Sequence, residues 1–598
     1  MKKLLSFLLL IIPLSLFGQT ETRITPWGIK DQTLSIWGIK DNSLGMNNDF
    51  INAANYGFLP TTTASANVAA WNSMPSGKKI KITTPGTYQI NNTLWLKSNT
   101  TYEFCAGCTV KKATGSSFSH IFGNYGMLTL ATDNNIKFYG NGLRLQVNGI
   151  DTYSLTDTNI SPVPRCRAQF QLFHVINFII DDFYIDDGLD DQFSFSMSDC
   201  HNGEISNIDI RAEKDGISIV SSSDLNIHNC ILDTWDDYFF LGVAYAVATP
   251  YIANTENIYI SDIVLKMHTP TGGGFAARIY DASWTNWTNG QTYHWNEYCI
   301  NEGKIYANET AENKVASVAP THTSGAVTGA DGIKWWYVQN GTITHADIKN
   351  ITFKNIDIQS DKGGFRFYNN WVTTGTEGTA IIDDIVFDNI SFKTSYANYF
   401  LQHRANCGTI TVKNTSFTSG TLAGGFFYGE ISSGTSTLEE LIIDNCIFDL
   451  SSTYSFVNSG TGYSFTKLTI NNSQITATNK YLIPVSPNIR INISCNNTTF
   501  IGLDRFVYSA ANNSVTTCTL TNCTFSTSLL AVVVVLNDGC TFNYISTGTT
   551  YIDPSEHLFY VGYAGLSIDV SDSHGTVPAH DVRNSVLVTV IQCDIPYL

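Results

Sequence analysis

The stretch from Ile205 to Ile231, ISNIDIRAEKDGISIVSSSDLNIHNCI, contains one full unit of the repeat that decides the fold. It opens with Ile205-Ser206-Asn207 and returns to the same pattern at Ile227-His228-Asn229, 22 residues later. In both places an apolar residue stands two positions before an asparagine. Each coil of a parallel β-helix buries its apolar face only against neighbouring coils, so a repeat of roughly 20 to 35 residues around an asparagine turn is typical of that fold.

The same pattern recurs along most of the chain. Further copies are Ile180-Asp181-Asp182, Ile260-Ser261-Asp262, Phe353-Lys354-Asn355, Phe387-Asp388-Asn389, Ile443-Asp444-Asn445, Ile470-Asn471-Asn472 and Leu520-Thr521-Asn522. We therefore predict an all-β fold, a single-stranded right-handed parallel β-helix, with the asparagines stacked in a turn ladder. The alanine-rich segment from Thr62 to Asn72 is the one plausible short helix, and we expect it to cap the open N-terminal end of the helix.

The N-terminus predicts export. Met1-Lys2-Lys3 is followed by an apolar run from Leu4 to Ile12, which is typical of a secretory signal. We expect a signal peptide over 1–18, an extension over 19–46, a catalytic β-helix over 47–480, and further coils or a small β domain over 481–598. No later segment has the roughly 20 apolar residues of a membrane span. The expected protein is a monomer, secreted or periplasmic.

Charge and cysteine content narrow the possible partners. The net charge of -17 argues against binding nucleic acid. The 13 cysteines are scattered, and Cys200, Cys230, Cys446 and Cys523 fall at similar places in the repeat, which favours small core residues over a disulfide framework. Cys105 and Cys108 form a single CxxC without a second pair, so we expect a packed turn or local disulfide and no zinc site.

Three aspartates are the candidates for chemistry. Asp236 and Asp237 follow Asp215 by 21 and 22 residues, about one coil. Strands of adjacent coils stack about 4.8 Å apart, so the three side chains should lie side by side. Carboxylates packed this closely repel, which allows a proton donor and an ionised base to coexist. A solvent-facing turn is the alternative for each aspartate alone, but their shared register favours acid/base cleavage of a glycosidic bond.

From about Ile51 to Ile358 the chain resembles the polygalacturonase-type glycoside hydrolases (family 28) of the pectin-lyase-fold superfamily. That family builds its site from Asn-x-Asp-Gly, Asp-Asp, Gly-His-Gly and Arg-x-Lys elements. Asp215-Gly216 matches the first element, although Glu213 replaces its asparagine, and Asp236-Asp237 matches the second. The third falls at Gly272-Gly273-Gly274 without its histidine. Lys334 matches the lysine of the fourth, with glycine in place of the arginine.

The resemblance implies inverting hydrolysis of a polysaccharide, with Asp236 as general acid and Asp215 and Asp237 activating water. We expect no cofactor and no metal ion in the site, with calcium left as a possibility. The missing histidine and arginine leave the identity of the polysaccharide open, because the family's arginine and lysine bind a sugar carboxylate. Candidate substrate-binding residues are Arg278, Lys334, His268, Trp235 and Trp335. The segment from Asp281 to Ala330 is expected to form long loops over the cleft, with the segments Gly363 to Tyr368 and His403-Arg404 at its far end.

Three other functions fit the predicted fold. A polysaccharide lyase would use a basic residue, often with calcium; possible calcium ligands are Asp181, Asp182, Asp186, Asp187, Asp190 and Asp191. A hydrolase of sulfated galactan, of the carrageenan-degrading type, would suit an altered binding subsite. A non-catalytic glycan-binding solenoid would need no carboxylate cluster.

Overall fold

The structure is a computed structural model. It describes residues 24–25, 28–29, 50–116, 118–147, 168–187, 193–243, 252–267, 274–294, 297–310, 312–359, 363–369, 380–392, 399–417, 426–429, 436–450, 456–459, 464–477, 481–485, 490–503, 505–509, 515–526, 531–535, 541–552, 557–561, 565–571, 581–582 and 587–593. The chain divides into two compact units, residues 1–51 and 52–598. In the first unit, Ile24–Thr25 pairs antiparallel with Gly28–Ile29. The predicted signal peptide and its cleavage site lie outside the described residues.

The second unit is a right-handed parallel β-helix, which confirms the predicted fold. Its longest parallel ladder covers two faces of each coil. The strands of this ladder are Lys79–Ile82, Gly86–Ile90, Thr101–Phe104, Cys108–Lys112, Asp133–Gln146, Val175–Asp187, His201–Ala212, Ser223–His228, Ile231–Thr234, Thr255–Met267, Ile348–Ile358, Ile382–Phe392, Cys407–Lys413, Ser416–Phe417, Thr437–Asp444, Ile447–Leu450, Ser464–Asn471, Gln474–Ala477, Arg490–Asn496, Thr499–Ile501, Val515–Thr521, Thr524–Ser526, Thr541–Thr547, Thr550–Ile552, Gly565–Ser571 and Leu587–Cys593. Phe50–Asn52 is also a strand.

The repeated apolar position of the sequence forms a column in the core of this ladder. Ile180 pairs in register with Ile205, Ile205 with Ile227, and Ile227 with Ile260. The column continues from Ile260 to Phe353. All five side chains are fully buried. Each coil therefore places one large apolar side chain on the next, which is the contact that a solenoid requires for stability.

A second parallel ladder forms the remaining face, and it carries the candidate site. Its strands are Leu94–Leu96, Phe122–Asn124, Ala168–Phe173, Phe193–Ser198, Ile217–Val220, Phe239–Gly242, Phe275–Ser283, Gly363–Asn369, Leu401–Arg404, Phe427–Gly429 and Val457–Ser459. Side chains alternate between the core and the outside of the coil. Phe239 and Phe365 point inward, because both rings contact Phe353 of the opposite ladder.

The residues that alternate with the inward ones face outward and lie in register along the helix axis. We call one such line the outer row; it consists of Gln171, Ser196, Ser218, Phe240, Arg278, Arg366, Gln402 and Tyr428. Two residues further along each strand lies a parallel line, the second outer row, which consists of Phe173, Ser198, Val220, Gly242, Tyr280, Tyr368 and Arg404.

The predicted asparagine ladder is present at the bends of the long strands. Asn355 adopts a left-handed backbone conformation (φ 53°) and donates a hydrogen bond to Asp262 at 2.9 Å. Asn389 in turn donates to Asn355 at 2.8 Å. A second ladder, which the sequence interpretation missed, occupies another corner: Asn350 donates to Asn257, and Asn257 donates to Asp224. Short polar side chains tolerate this backbone conformation and bond to one another, which explains their repetition.

The predicted capping helix spans Ala64–Ser73, with the Thr63 side chain accepting a hydrogen bond from the Ala66 amide. Its Trp71 is 1% exposed and stacks on Tyr102 of the coil beneath, at 5.0 Å between ring centroids. The helix thus covers the apolar interior of the end coil, as expected. The other two helices of the described residues are short: a 3-10 helix at Ala53–Tyr56 and an α-helix at Gly126–Thr129.

The segment expected to form loops over the cleft instead contains paired strands, so that prediction was wrong. A five-stranded, mostly antiparallel sheet consists of Thr285–Asn286, Tyr298–Asn301, Lys304–Asn308, Lys334–Asn340 and Ala326–Thr328. Thr292–Tyr293 pairs separately with Lys314–Val315, and His345–Ala346 pairs with Phe275–Ser283 of the ladder. The insert has its own core, in which Tyr293, Tyr306 and Trp335 are buried together. Its aromatic residues, which suggested a binding loop, form this core.

The parallel pairing continues beyond residue 480. Arg490–Asn496 pairs with Ser464–Asn471, and the ladder runs on to Leu587–Cys593. A further parallel ladder consists of Tyr481–Val485, Arg505–Ser509, Ala531–Val535, His557–Val561 and Asp581–Val582.

The cysteines singled out by the sequence are buried in the coils: Cys200, Cys230, Cys446 and Cys523 are at most 1% exposed. The sulfur atoms of Cys105 and Cys108 lie 3.6 Å apart as thiols. Among the described residues, no helix is long and apolar enough to cross a membrane.

Candidate active site

The structure brings the three predicted carboxylates together. Asp215 precedes strand Ile217–Val220, and Asp236 and Asp237 precede the adjacent strand Phe239–Gly242. The turns stack directly, because the Gly216 amide donates to the Asp237 carbonyl at 2.9 Å. One carboxylate oxygen from each aspartate lies within 4.8 Å of the other two. The rigid ladder therefore fixes the cluster at the ends of two neighbouring strands.

The three aspartates differ in exposure. Asp215 is 5% exposed and Asp237 is 2% exposed, whereas 25% of the Asp236 side chain is accessible. Asp237 is fixed at both oxygens: Oδ1 accepts a hydrogen bond from the Phe275 amide at 2.8 Å, and Oδ2 lies 2.7 Å from Arg278 Nε. Asp236 is thus the carboxylate that a bound molecule reaches first, while Asp237 is held in place behind it.

Two cations accompany these carboxylates. Arg278 Nη2 lies 3.7 Å from Asp236 Oδ1, and Lys214 Nζ lies 4.0 Å from Asp236 Oδ2. Burial by itself lowers the pKa of Arg278, but the nearby charge of Asp237, with smaller effects from Tyr280, Asp236 and Asp215, outweighs it and raises the pKa above the ordinary arginine value. Arg278 is therefore a permanent cation, as arginine generally is. With all groups ionised, three negative and two positive charges leave one negative charge in excess.

The packing around residue 274 explains why this position of the third sequence element is glycine. A Cβ atom at this position would overlap the backbone carbonyl of Asp236 on the neighbouring coil. Only glycine permits this close approach of the two turns. The preceding Gly272 and Gly273 lie outside the described residues, as does the predicted substrate-binding residue His268.

The next coil carries a second arginine in the outer row. Strand Gly363–Asn369 follows Phe275–Ser283 in the ladder and contains Arg366-Phe367-Tyr368. Arg366 pairs in register with Arg278, although the insert separates Arg366 from Gly274 by 92 residues in sequence. Lys334, which the sequence matched to the lysine of the Arg-x-Lys element, lies inside that insert.

Arg366 is stacked between aromatic rings. Its guanidinium carbon lies 4.1 Å from the ring centroid of Tyr368 and 4.8 Å from that of Phe275. Arg404 approaches the Tyr368 ring at 5.3 Å. Burial lowers the pKa of Arg366, and among the described residues no carboxylate lies within ion-pair distance of it. A desolvated guanidinium of this kind gains from contact with an anionic ligand.

The remaining predicted binding residues separate into two groups. Trp235 is 37% exposed and adjoins Asp236, so its ring is available to a ligand. Lys334 lies in the insert and pairs with Glu309 at 3.0 Å. Trp335 is 1% exposed and packs edge-on against Tyr293 in the insert core. The prediction that Trp335 stacks on a sugar is therefore wrong, because its faces are covered by protein.

Among the described residues, one group of side chains could bind a metal ion. The three aspartates form the only group there of three or more His, Cys, Asp or Glu ligand atoms close enough to share an ion. Arg278 and Lys214 already face these oxygens. Of the calcium candidates, Asp181 accepts hydrogen bonds from Ser206 and Asn207 at 2.6 and 2.7 Å, and Asp190 and Asp191 lie outside the described residues.

Comparison with known proteins gives similarity in structure only. No protein-family profile and no curated protein matches the chain. Similar solved structures include the Yersinia enterocolitica family 28 exopolygalacturonase (TM-score 0.32, 12% identity, 87% of this chain and 78% of that chain). The endo-xylogalacturonan hydrolase of Aspergillus tubingensis gives a TM-score of 0.36 at 12% identity, over 71% of this chain and 95% of that chain. The tailspike of E. coli bacteriophage HK620, solved with a hexasaccharide, gives 0.42 at 10% identity, over 80% and 77%. The Yersinia enzyme is of the family that the sequence resembles.

Proposed function

We propose that the protein is a glycoside hydrolase that cleaves a polysaccharide by acid/base catalysis. One observation carries the proposal: three carboxylates lie within 4.8 Å of one another on adjacent strands, with only Asp236 substantially accessible. Asp236 is the proposed general acid, which protonates the oxygen of the leaving sugar. Asp215 and Asp237 are the proposed bases, which position and activate the attacking water.

The net charge of the cluster supports the assignment of one acid and two bases. Three carboxylates facing Arg278 and Lys214 carry one uncompensated negative charge, which binding a single proton removes. One proton shared by the cluster is what a general acid needs, provided that another carboxylate stays ionised. The ion pair with Arg278 and the hydrogen bond from Phe275 favour the ionised form of Asp237.

We propose inversion of configuration, although the spacing is short. Inverting pairs are typically about 6.5–9.5 Å apart and retaining pairs about 5–5.5 Å. A retaining mechanism would require one carboxylate to attack the sugar directly. Asp237 is unsuited to that role because it is 2% exposed and held at both oxygens, whereas a general base has to contact only one bound water molecule. Measuring the anomeric form of the first product by NMR separates the two mechanisms.

The proposed substrate carries negative charges. Arg366 and Arg404 flank Tyr368 on the open part of the ladder, a combination that suits a sugar with a carboxylate or a sulfate ester. Exposed Trp235 is a proposed stacking partner for a sugar ring, and His268 remains a proposed contact. The mechanism uses no cofactor, and we propose that the protein acts outside the cytoplasm as a monomer.

The test is a reducing-end assay on pectic, sulfated-galactan and neutral polysaccharides, run with the Asp236→Asn variant. Loss of the acid should lower kcat by about 10²–10⁴-fold. Asp224→Asn is the matched control, because Asp224 is a turn residue with φ 57° outside the cluster, where asparagine fits equally well. A lyase would instead produce an unsaturated, ultraviolet-absorbing product, and a binding protein would produce neither. Full activity of Asp236→Asn would refute the proposed mechanism.

A further inference from the structure

The outer row changes from buried to accessible at the position of the carboxylates. On the coils towards the N-terminus, Gln171, Ser196 and Ser218 are 0% exposed although they point away from the core. Phe240, on the coil of Asp236, is 2% exposed. On the following coils, Arg278 is 18% exposed in its side chain, and the next three members of the row are partly exposed.

The second outer row also changes from buried to accessible, one coil later than the outer row. Ser198 and Val220 are 0% exposed and Tyr280 is 2% exposed, whereas Tyr368 and Arg404 on the next coils are partly exposed. The chemistry of the side chains changes with their accessibility. No buried member of either row is charged, whereas Arg278, Arg366 and Arg404 are all among the accessible members. In both rows, therefore, the buried residues lie on the N-terminal side and the accessible residues on the C-terminal side, and the two changes are one coil apart.

We infer that the cleft is closed on the N-terminal side of the carboxylates and open on the C-terminal side, so that the protein acts on chain ends. The inference rests on the proposed hydrolase function and adds its mode of action. Adjacent coils are about 4.8 Å apart, so a chain crossing the carboxylates in both directions would need several accessible coils on each side. Ser218, on the coil of Asp215 itself, is already fully buried. A polysaccharide can extend along the ladder only towards Arg366 and Arg404.

The products distinguish cleavage at the chain end from cleavage at internal bonds. With polygalacturonate or ι-carrageenan as the probe, whichever is hydrolysed, we expect one short product of constant length from the first minutes and a slow fall in viscosity. A broad range of oligosaccharides with an early collapse of viscosity would overturn the inference and leave the hydrolase proposal intact.

Binding provides a readout that does not depend on catalysis. The Asp236→Asn variant should bind about one molecule per chain of either probe, whatever the chain length. Several molecules on each long chain would overturn end recognition. Binding at one molecule per chain without hydrolysis by the wild type would refute the hydrolase function and support the one-ended cleft. If neither probe is bound or cleaved, the one-ended cleft for an anionic chain is refuted, and the reducing-end assay on neutral polysaccharides decides the hydrolase function separately.

Two variants at equal distances from Phe240 test the direction of the cleft. Ser196 lies two coils before Phe240 in the outer row, and Arg366 lies two coils after it. Arg366→Gln should raise KM at least about 10-fold, because it removes a charge-assisted contact. Ser196→Ala should leave kcat and KM unchanged, with melting temperatures confirming that both variants fold. An equal rise of KM in Ser196→Ala would show that substrate occupies the N-terminal side, against the inference.

Discussion

Replacing Arg278 by methionine tests whether this arginine is what keeps Asp237 charged. The substitution retains most of the side-chain volume and removes the cation that lies 2.7 Å from Asp237 and 3.7 Å from Asp236. Asp237 is 2% exposed, so water cannot replace the lost partner. The hydrogen bond from the Phe275 amide compensates only part of the charge.

The expected loss of stability is large for a single substitution. Removing one partner of a buried ion pair costs about 3–5 kcal/mol. When Asp237 of the variant binds a proton, its buried negative charge disappears and this cost becomes smaller. We therefore expect the free energy of unfolding to fall by about 3 kcal/mol at pH 8 and by less at pH 5. A carboxyl group that binds its proton more readily in the folded than in the unfolded state gives stability that is lost as pH rises. Protonated Asp237 is no longer a base, and kcat should fall by about 10²–10⁴-fold.

Urea unfolding at pH 5 and pH 8 measures both effects. The double variant Arg278→Met, Asp237→Asn should recover most of the stability, because it removes the unpaired charge as well. Arg366→Met is the matched control on the next strand: its contacts are with aromatic rings, so we expect a loss of only about 1 kcal/mol. The reasoning is refuted if Arg278→Met is as stable as the wild type, or if the double variant is no more stable than the single one.

Three further predictions concern the scaffold. Burial lowers the pKa of His403 from 6.5 to about 3, so the folded state loses stability as pH falls below 6.5. The free energy of unfolding should therefore differ between pH 8 and pH 5 by about 2 kcal/mol less in His403→Leu than in the wild type. Burial raises the pKa of Asp199, but hydrogen bonds from two histidines outweigh this effect and lower the pKa. Asp199 therefore stabilises the folded state above about pH 4, and this stabilisation is lost as pH falls below that value. In urea unfolding, Asp199→Asn should lack this loss of stability at acid pH. Gly274→Ala should lower stability by about 1–3 kcal/mol and impair activity, whereas Gly341→Ala, whose added Cβ atom would lie at an ordinary 3.5 Å from its neighbour, should do neither.

The fold could be predicted from the sequence because one constraint repeats at every coil. A column such as Ile205, Ile227 and Ile260 needs an apolar residue at the same place in each coil, and the adjoining bend needs a residue that tolerates a left-handed backbone. Both requirements are local, so they recur visibly in the sequence. The second ladder, from Asn350 through Asn257 to Asp224, follows the same rule but was missed because other asparagines surround it in the sequence.

The antiparallel insert shows what a repeat cannot reveal. It interrupts the coils between Phe275–Ser283 and Gly363–Asn369, two strands that pair side by side in the ladder. Its Trp335 and Lys334 imitate a binding motif in sequence, although one belongs to the insert core and the other pairs with Glu309. An insert folded around its own core leaves the order of the coils unchanged but lengthens the sequence between two neighbouring coils. The number of residues between two positions therefore no longer indicates how many coils separate them.

The candidate site was therefore predictable only where its residues come from consecutive, uninterrupted coils. Asp215 and Asp236 meet this condition, and their one-coil separation was sufficient to place them together. Arg278 was expected to bind substrate, but its partner Asp237 is 41 residues away in sequence, and only the three-dimensional structure shows that the guanidinium faces the carboxylates. Because Arg278 faces the proposed catalytic carboxylates, the proposal assigns the binding of an anionic substrate to the arginines of the next two coils. The same strand order that assembles the acid and base groups thus also separates them from the proposed anion-binding groups.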